Sequence, residues 1–338
     1  MPTCALWGMT LADLERLRPP GSAASLYARL MRAEAFVAGP ALLGREARDF
    51  CEQLDQTLPV VESARRSVDG STKFVFVLAD GARIEAVHMP RAVKNPRVTL
   101  CISSQVGCAM GCTFCHTASM GLIRNLRADE IVGQVVAMLR HRGPHELGRI
   151  SVVFMGMGEP LHNLTEVSRA VEILSDEAGL SIPEGRITVS TSGLVPGIEA
   201  LAKLPRRPTL ALSLNATTDE ARSRIMPVTK RWGLAALRAA LLAFPLRSHE
   251  KITVEYVLLR GENDTPDDAR RLGEFVRGYR HHVNVIPFND YDGALYTEPA
   301  ESTLDQFLGH LYDAGCLATV RRSRGRDVGA ACGQLVRA

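Results

Sequence analysis

The segment Cys101-Ile-Ser-Ser-Gln-Val-Gly-Cys108-Ala-Met-Gly-Cys112-Thr-Phe-Cys115-His-Thr-Ala decides how the chain is read. Cys108, Cys112 and Cys115 are spaced C-x3-C-x2-C. Three thiolates on one short loop suit three corners of a cubane iron–sulfur cluster, whose full protein ligation takes four cysteines. The fourth iron then stays open to a substrate, as one coordination position does in catalytic zinc sites. Cys101, shortly upstream, keeps a closed four-cysteine zinc site in view. Structural zinc sites use two knuckles divided by a longer spacer, and no second knuckle follows here. A chain of 338 residues needs no disulfide scaffold, so clustered cysteines point to a metal site in a reducing cytoplasm.

Downstream of this loop, strand-like and helix-like patterns alternate. Strands are expected at Val98–Ser103, Ile150–Met155, Arg186–Thr191, Thr209–Leu214, Ile252–Leu258 and His282–Ile286. Helices are expected at Asp129–Arg140, Leu164–Asp176, Val195–Lys203, Leu234–Leu242, Pro266–Arg277 and Thr303–Asp313. Such alternation predicts an α/β fold with a parallel sheet wound by crossovers, either a partial (β/α)6 barrel or an open doubly wound sheet. The cysteine loop directly follows the first of these strands, where barrel enzymes place their chemistry.

The later strand ends carry polar groups on the same rim. Met155-Gly-Met-Gly158-Glu159-Pro160 joins close-approach glycines to a carboxylate able to accept from an ammonium group. Ser190-Thr-Ser-Gly, Ser213-Leu214-Asn215 and Ile286-Pro-Phe-Asn289 follow on successive strands. Any one of these could simply cap the next helix. Their recurrence on the cysteine-loop side points to a ligand site. The tail Val320-Arg-Arg-Ser-Arg-Gly-Arg-Asp-Val-Gly-Ala-Ala-Cys332-Gly-Gln carries Arg321, Arg322, Arg324 and Arg326. It reads as a flexible phosphate-contacting loop or a solvated basic tail.

Upstream, three short helical runs are expected at Leu11–Leu17, Ala23–Phe36 and Gly44–Leu54. Each is too short to stand alone, so together they form a small accessory unit. Beyond Pro59, Thr72-Lys-Phe-Val-Phe-Val-Leu and Arg83-Ile-Glu85-Ala-Val-His-Met flank the turn signal Ala79-Asp-Gly-Ala82 and predict a β-hairpin. Glu85 lies on its second strand, where a lone acid usually faces solvent. The expected division is therefore 1–57 helical, 58–97 hairpin linker and 98–338 core. The net charge of +3 permits RNA binding through local patches without demanding it. A signal peptide and a membrane span are not expected.

Together these pieces resemble the RlmN/Cfr family of radical S-adenosylmethionine (SAM) RNA (adenine) methyltransferases. The resemblance spans nearly the whole chain. It rests on Ile84-Glu85-Ala-Val-His-Met-Pro, Cys101-Ile-Ser-Ser-Gln-Val-Gly-Cys108, Gly156-Met-Gly-Glu-Pro, Ser190-Thr-Ser-Gly, Ile286-Pro-Phe-Asn289 and Ala330-Ala-Cys332-Gly-Gln-Leu. It implies a partial radical SAM barrel, with a [4Fe–4S] cluster on Cys108, Cys112 and Cys115 and SAM on the open iron. Gly158, Glu159, Ser190, Ser213, Leu214, Asn215 and Asn289 are implied to line the SAM site. In the implied reaction Cys332 is methylated by one SAM, and a deoxyadenosyl radical from a second takes hydrogen from that methyl group. The methylene radical adds to an adenine ring carbon, Glu85 removes the ring proton, and Cys101 resolves the adduct as a disulfide. The implied partners are ribosomal RNA, with transfer RNA left open, and an electron donor such as flavodoxin or ferredoxin; the enzyme is expected to be a cytoplasmic monomer. Thr117-Ala118 looks like the C2-methylating branch rather than the C8-methylating one. Asn215 departs from the family's usual histidine, His116 departs after the third cysteine, and the link Arg91–Arg97 is long.

Overall fold

A computed structural model describes residues 5–32, 43–91, 96–142 and 149–335. Its frame is one ten-stranded sheet. The strands are β1 Val60–Arg66, β2 Thr72–Val77, β3 Arg83–Arg91, β4 Arg97–Cys101, β7 Arg149–Phe154, β8 Ile187–Thr191, β9 Thr209–Ser213, β10 Ile252–Leu258, β11 His281–Pro287 and β12 Ala318–Val320, in that spatial order. The missing numbers belong to a small hairpin, β5 Gln105–Gly107 with β6 Leu122–Asn125, which brackets the cysteine loop. From β4 to β12 all neighbours are parallel, which crossover helices make possible.

The helices are α1 Leu11–Arg16, α2 Ala23–Met31, α3 Arg45–Cys51, α4 Ala128–Arg142, α5 Leu164–Ser175, α6 Val195–Ala202, α7 Asp219–Ile225, α8 Leu234–Ala243, α9 Pro266–Phe275 and α10 Glu301–Asp313. Each crossover helix buries an apolar stripe against the sheet: Val167, Ala170, Val171 and Leu174 in α5, Ala269 and Leu272 in α9, Leu304, Phe307 and Leu311 in α10. Thr265 starts α9 with a reciprocal capping box to Asp268. The six strand–helix units expected from the pattern are present as a partial (β/α) barrel, open rather than closed.

Two local differences from the sequence reading have physical causes. The expected hairpin is part of a three-stranded antiparallel run, because β1 pairs with β2. Its Val-Val-Glu-Ser-Ala-Arg-Arg sequence is exposed or half-exposed throughout, so no apolar alternation announces it. β3 pairs with β4, so this run continues the barrel sheet. The second helical run is seen over Ala23–Met31, and its expected continuation to Phe36 lies outside the described residues.

The N-terminal helices pack on the barrel's outer helices. Leu6 and Trp7 are buried, and Arg140 of α4 stacks over the Trp7 ring. Arg169 of α5 binds the Gly8 carbonyl at 2.8 Å and Asp13 at 2.6 Å. Among the described residues no helix is long and apolar enough to cross a membrane.

Candidate active site

Directly paired residues of neighbouring strands point to the same face of a sheet, so register tells which side chains share the barrel interior. From β2 to β11 the pairs Lys73↔Val87, Val75↔Glu85, Val87↔Cys101, Cys101↔Val153, Ser190↔Ala211, Glu255↔Ser213 and Glu255↔Asn284 place these residues on one inner surface. Glu85 and Cys101 therefore face inward with Ser190, Ser213 and Glu255.

At the C-terminal ends of the strands lies a cavity of about 160 Å³. Its walls include Cys108, Cys112, Cys115, Gly158, Glu159, Ser190, Ser213, Asn215 and Cys332. The cysteine loop is fixed by backbone bonds at its start and in its middle. The Cys108 N–H donates to the Gly121 carbonyl at 2.8 Å, and the Thr113 N–H to the Ile225 carbonyl of α7 at 3.0 Å. Burial pushes the Cys108 thiol up to about 12, and it raises Cys112 and Cys115 as well, with the neighbouring cysteines adding to Cys112. Such thiols need a cation to be held as thiolates. Among the described residues no three His, Cys, Asp or Glu side chains gather tightly enough for one metal ion. The three sulfurs instead line the wall of one cavity, a donor set that fits a cluster binding each thiolate on a different iron.

Gly158 turns the chain at φ +101°, and an added Cβ would lie 2.6 Å from the Gln105 Cβ, so only glycine fits. This turn aims Glu159 inward. The Gln105 Oε1 accepts from the Glu159 N–H at 2.8 Å. The Glu159 Oε2 accepts from the Ser192 N–H at 2.7 Å and its hydroxyl at 2.8 Å. Burial raises the Glu159 carboxyl, and the Ser192 bonds oppose that rise. Asn215 adopts φ +58°, a left-handed conformation in which Asn and His are both enriched. Its Oδ1 accepts from the Val257 N–H at 2.8 Å. Leu214 is fully buried behind the wall.

Cys332 reaches this cavity because the tail folds back onto the cysteine loop. The His116 N–H donates to the Gly333 carbonyl at 2.8 Å, and the Thr117 hydroxyl to the Leu335 carbonyl. The Asn289 amide holds the loop through the Cys332 carbonyl at 3.2 Å and the Ser323 hydroxyl at 2.9 Å. Asn289 thus touches the Cys332 loop and is not among the cavity-lining residues. Cys101 ends β4, is 7% exposed, and burial followed by the nearby Cys332 pushes its thiol up to about 12. Glu85 is fully buried and pairs with Lys73 at 2.8 Å. Lys73 also donates to the Gly329 carbonyl at 3.1 Å, which links Glu85 to the Cys332 loop.

Each tail arginine has a carboxylate partner within the chain. Arg321 pairs with Glu255 at 3.0 Å inside the cavity, Arg322 with Glu301, Arg324 with Asp69 at 3.5 Å and Arg326 with Glu298 at 2.7 Å. Arg322 and Arg326 stay largely exposed beside these partners. Sequence reading quoted Ser192 and Gln105 inside motifs without giving either a role, and it missed Glu255, whose signal was a charge inside the apolar strand Ile252–Leu258.

Comparison with known proteins supports the same reading. The model of the Radical SAM superfamily matches residues 102–273. A dual-specificity RNA methyltransferase RlmN of Syntrophotalea carbinolica is 48% identical over 274 residues, covering 81% of this chain and 72% of that protein. Its namesake in Wolinella succinogenes is 40% identical over 343 residues, covering 98% and 96%. A crystal structure of a radical SAM methyltransferase from Sphaerobacter thermophilus superposes with a TM-score of 0.89 at 39% identity, covering 98% of this chain and 99% of that one. The barrel, the inward cysteine loop and these matches make one statement: the chain is a SAM-dependent radical enzyme and belongs to the RlmN/Cfr family.

Proposed function

We propose that this enzyme methylates a ring carbon of adenine in RNA, C2 rather than C8, acting on ribosomal RNA and taking transfer RNA as a second substrate. One observation carries the reading: Cys332, 217 residues after Cys115 in the chain, lines the same cavity as the cysteine loop and lies within electrostatic reach of Cys101. The relatives' printed names, dual-specificity RNA methyltransferase, support the substrate class.

Cys108, Cys112 and Cys115 would hold a [4Fe–4S] cluster, and Glu159, Ser190, Ser213 and Asn215 would line the SAM pocket. When bound, these groups supply a 5′-deoxyadenosyl radical on one-electron reduction by a flavodoxin or ferredoxin. The chain's own residues do the rest. Cys332 carries the methyl group, because the carbon between two ring nitrogens is electron-poor and cannot attack a methyl sulfonium. A carbon radical on the S-methyl group can add to it. Glu85, buried against Lys73, accepts the ring proton as the adduct radical gives up one electron, which the one-electron carrier named above would take back. Cys101 then attacks the Cys332 sulfur, forming the Cys101–Cys332 disulfide and releasing methylated RNA. A base stacked in a helix hides its ring carbon, so the target adenine is unpaired or flipped out. The N-terminal helices of residues 1–57 would hold the surrounding RNA.

The test is anaerobic reconstitution with iron, sulfide, ribosomal RNA fragments and methyl-labelled SAM, followed by RNA hydrolysis and mass spectrometry. Labelled 2-methyladenine is expected. Iron-loaded enzyme that cleaves SAM but leaves the RNA unlabelled would overturn the substrate assignment.

A further inference from the structure

Arg222, on α7, is fully buried. Its Nε donates to the Leu214 carbonyl at 2.9 Å and its Nη1 to the Thr229 hydroxyl at 2.7 Å. Its Nη2 donates to the Ser192 carbonyl at 2.6 Å and the Ser213 carbonyl at 3.1 Å. Every acceptor is neutral. Two other arginines drawn into the interior have carboxylates: Arg207 has Glu250 at 2.7 Å and Arg321 has Glu255 at 3.0 Å. Asp219, one turn before Arg222, is exposed, accepts from the Leu234 N–H, and attracts the guanidinium only from a distance. A buried charge without a partner costs several kcal/mol, roughly what breaking a buried ion pair costs. A folded chain carries such a cost where an anion arrives later.

The position of α7 says which anion. Its last residue, Ile225, takes the backbone bond from Thr113 in the middle of the cysteine loop. Ser192, Ser213 and Met226 surround the arginine and line the same cavity as Cys112. Arg222 itself sits behind that wall and is not among the cavity-lining residues. Burial drives the guanidinium down to about 10, and a charged Cys112 would draw it back up.

We infer that Arg222 is the built-in counter-ion of the iron–sulfur cluster on the cysteine loop, and that its charge raises the cluster's reduction potential. The inference rests on the cluster assignment made above. The charges balance: an oxidised cubane core is a dication, three thiolates leave one net negative charge, and one guanidinium cancels it. Reduction by one electron adds a second negative charge, which a fixed cation in a low-dielectric setting favours. Arg222 is thus a positioning residue, acting through the cluster rather than on SAM or RNA.

The test compares reconstituted wild type, R222M and R222K, with iron and sulfide content measured first and the midpoint potential read by EPR-monitored redox titration. R222M should reduce with an equilibrium constant at least tenfold lower, which is 59 mV for one electron, while R222K stays within threefold of wild type. A second pair keeps the arginine in place: T229D offers its Nη1 a carboxylate, and T229N does not. T229D should lower the midpoint and raise the melting temperature of the cluster-free chain relative to T229N. Equal midpoints for R222M and R222K, or for T229D and T229N, would overturn the inference. So would weaker SAM binding with the potential unmoved, since the anion would then be the SAM carboxylate. If R222M does not fold, the Thr229 pair decides alone. Wild type that takes up no iron would instead overturn the cluster assignment itself.

Discussion

At the scale of single residues, the three groups around Cys332 have separable tasks. Cys332→Ala should retain its iron and still cleave SAM while RNA methylation falls to background; full turnover by this variant would remove the methyl-carrier role. Cys101→Ala should leave enzyme covalently joined to RNA, visible as a slow band on a denaturing gel. Lys73→Met removes a buried ion partner that holds the Glu85 carboxylate in place, so that carboxylate should take the ring proton less well. Adduct should then accumulate without loss of SAM cleavage, read by the same gel. The residues of this group were legible as types, since a cysteine between alanines and glycine, or an acid in an apolar strand, stands out. Their partners were not. Lys73 reaches Glu85 only through the β2–β3 register, and Arg321 finds Glu255 across 66 positions of chain.

At the scale of elements, the turns after the strands set the cavity. Gly158→Ala should cost about 1–3 kcal/mol from its backbone conformation alone. Because the new methyl group displaces Gln105, it should also weaken SAM binding, checked by urea denaturation and by calorimetry. Asn215→His should be tolerated at φ +58°. Asn215→Val should lose roughly 1–2 kcal/mol, because a β-branched residue meets the left-handed region badly. The alternation of strand and helix was readable because each crossover helix has a buried stripe and each strand an apolar run. The elements that escaped are those without such contrast. Strand β12 is three residues long, and α7 is the polar Asp-Glu-Ala-Arg-Ser-Arg-Ile, whose single buried arginine looks in sequence like any other surface charge.

At the scale of the whole molecule, acid stability should depend on a clamp far from the cavity. Arg207 and Glu250, 7% and 5% exposed, tie the approach to β9 to the approach to β10. Burial would raise the Glu250 carboxyl, but bonds from Arg207 and Arg247 outweigh it and hold the group at about 2 against an ordinary 4.5. The sign follows: the depressed value adds stability that is complete above about pH 4.5 and fades as pH falls toward 2. Glu250→Ala should cost about 3–5 kcal/mol at neutral pH, because it leaves the guanidinium buried and unpaired. Its stability, measured by urea melts, should then vary less than wild type's between pH 4.5 and 2.

The sheet never closes on itself. Between β12 and the β1–β3 run, the loop from Arg321 to Leu335 makes the junction. Asp327 accepts from the Ser67 hydroxyl at 2.5 Å, Asp69 from the Gly325 N–H at 2.8 Å, and the Gly329 carbonyl from Lys73. An enclosure buttoned by ions and single polar bonds yields to ionic strength where one zipped by a strand does not. Amide exchange over 322–335 should therefore quicken as salt is raised, while β7 to β10 stay protected. Cys332, proposed above as the methyl carrier, is sewn onto a hem of the barrel that electrolyte can unpick.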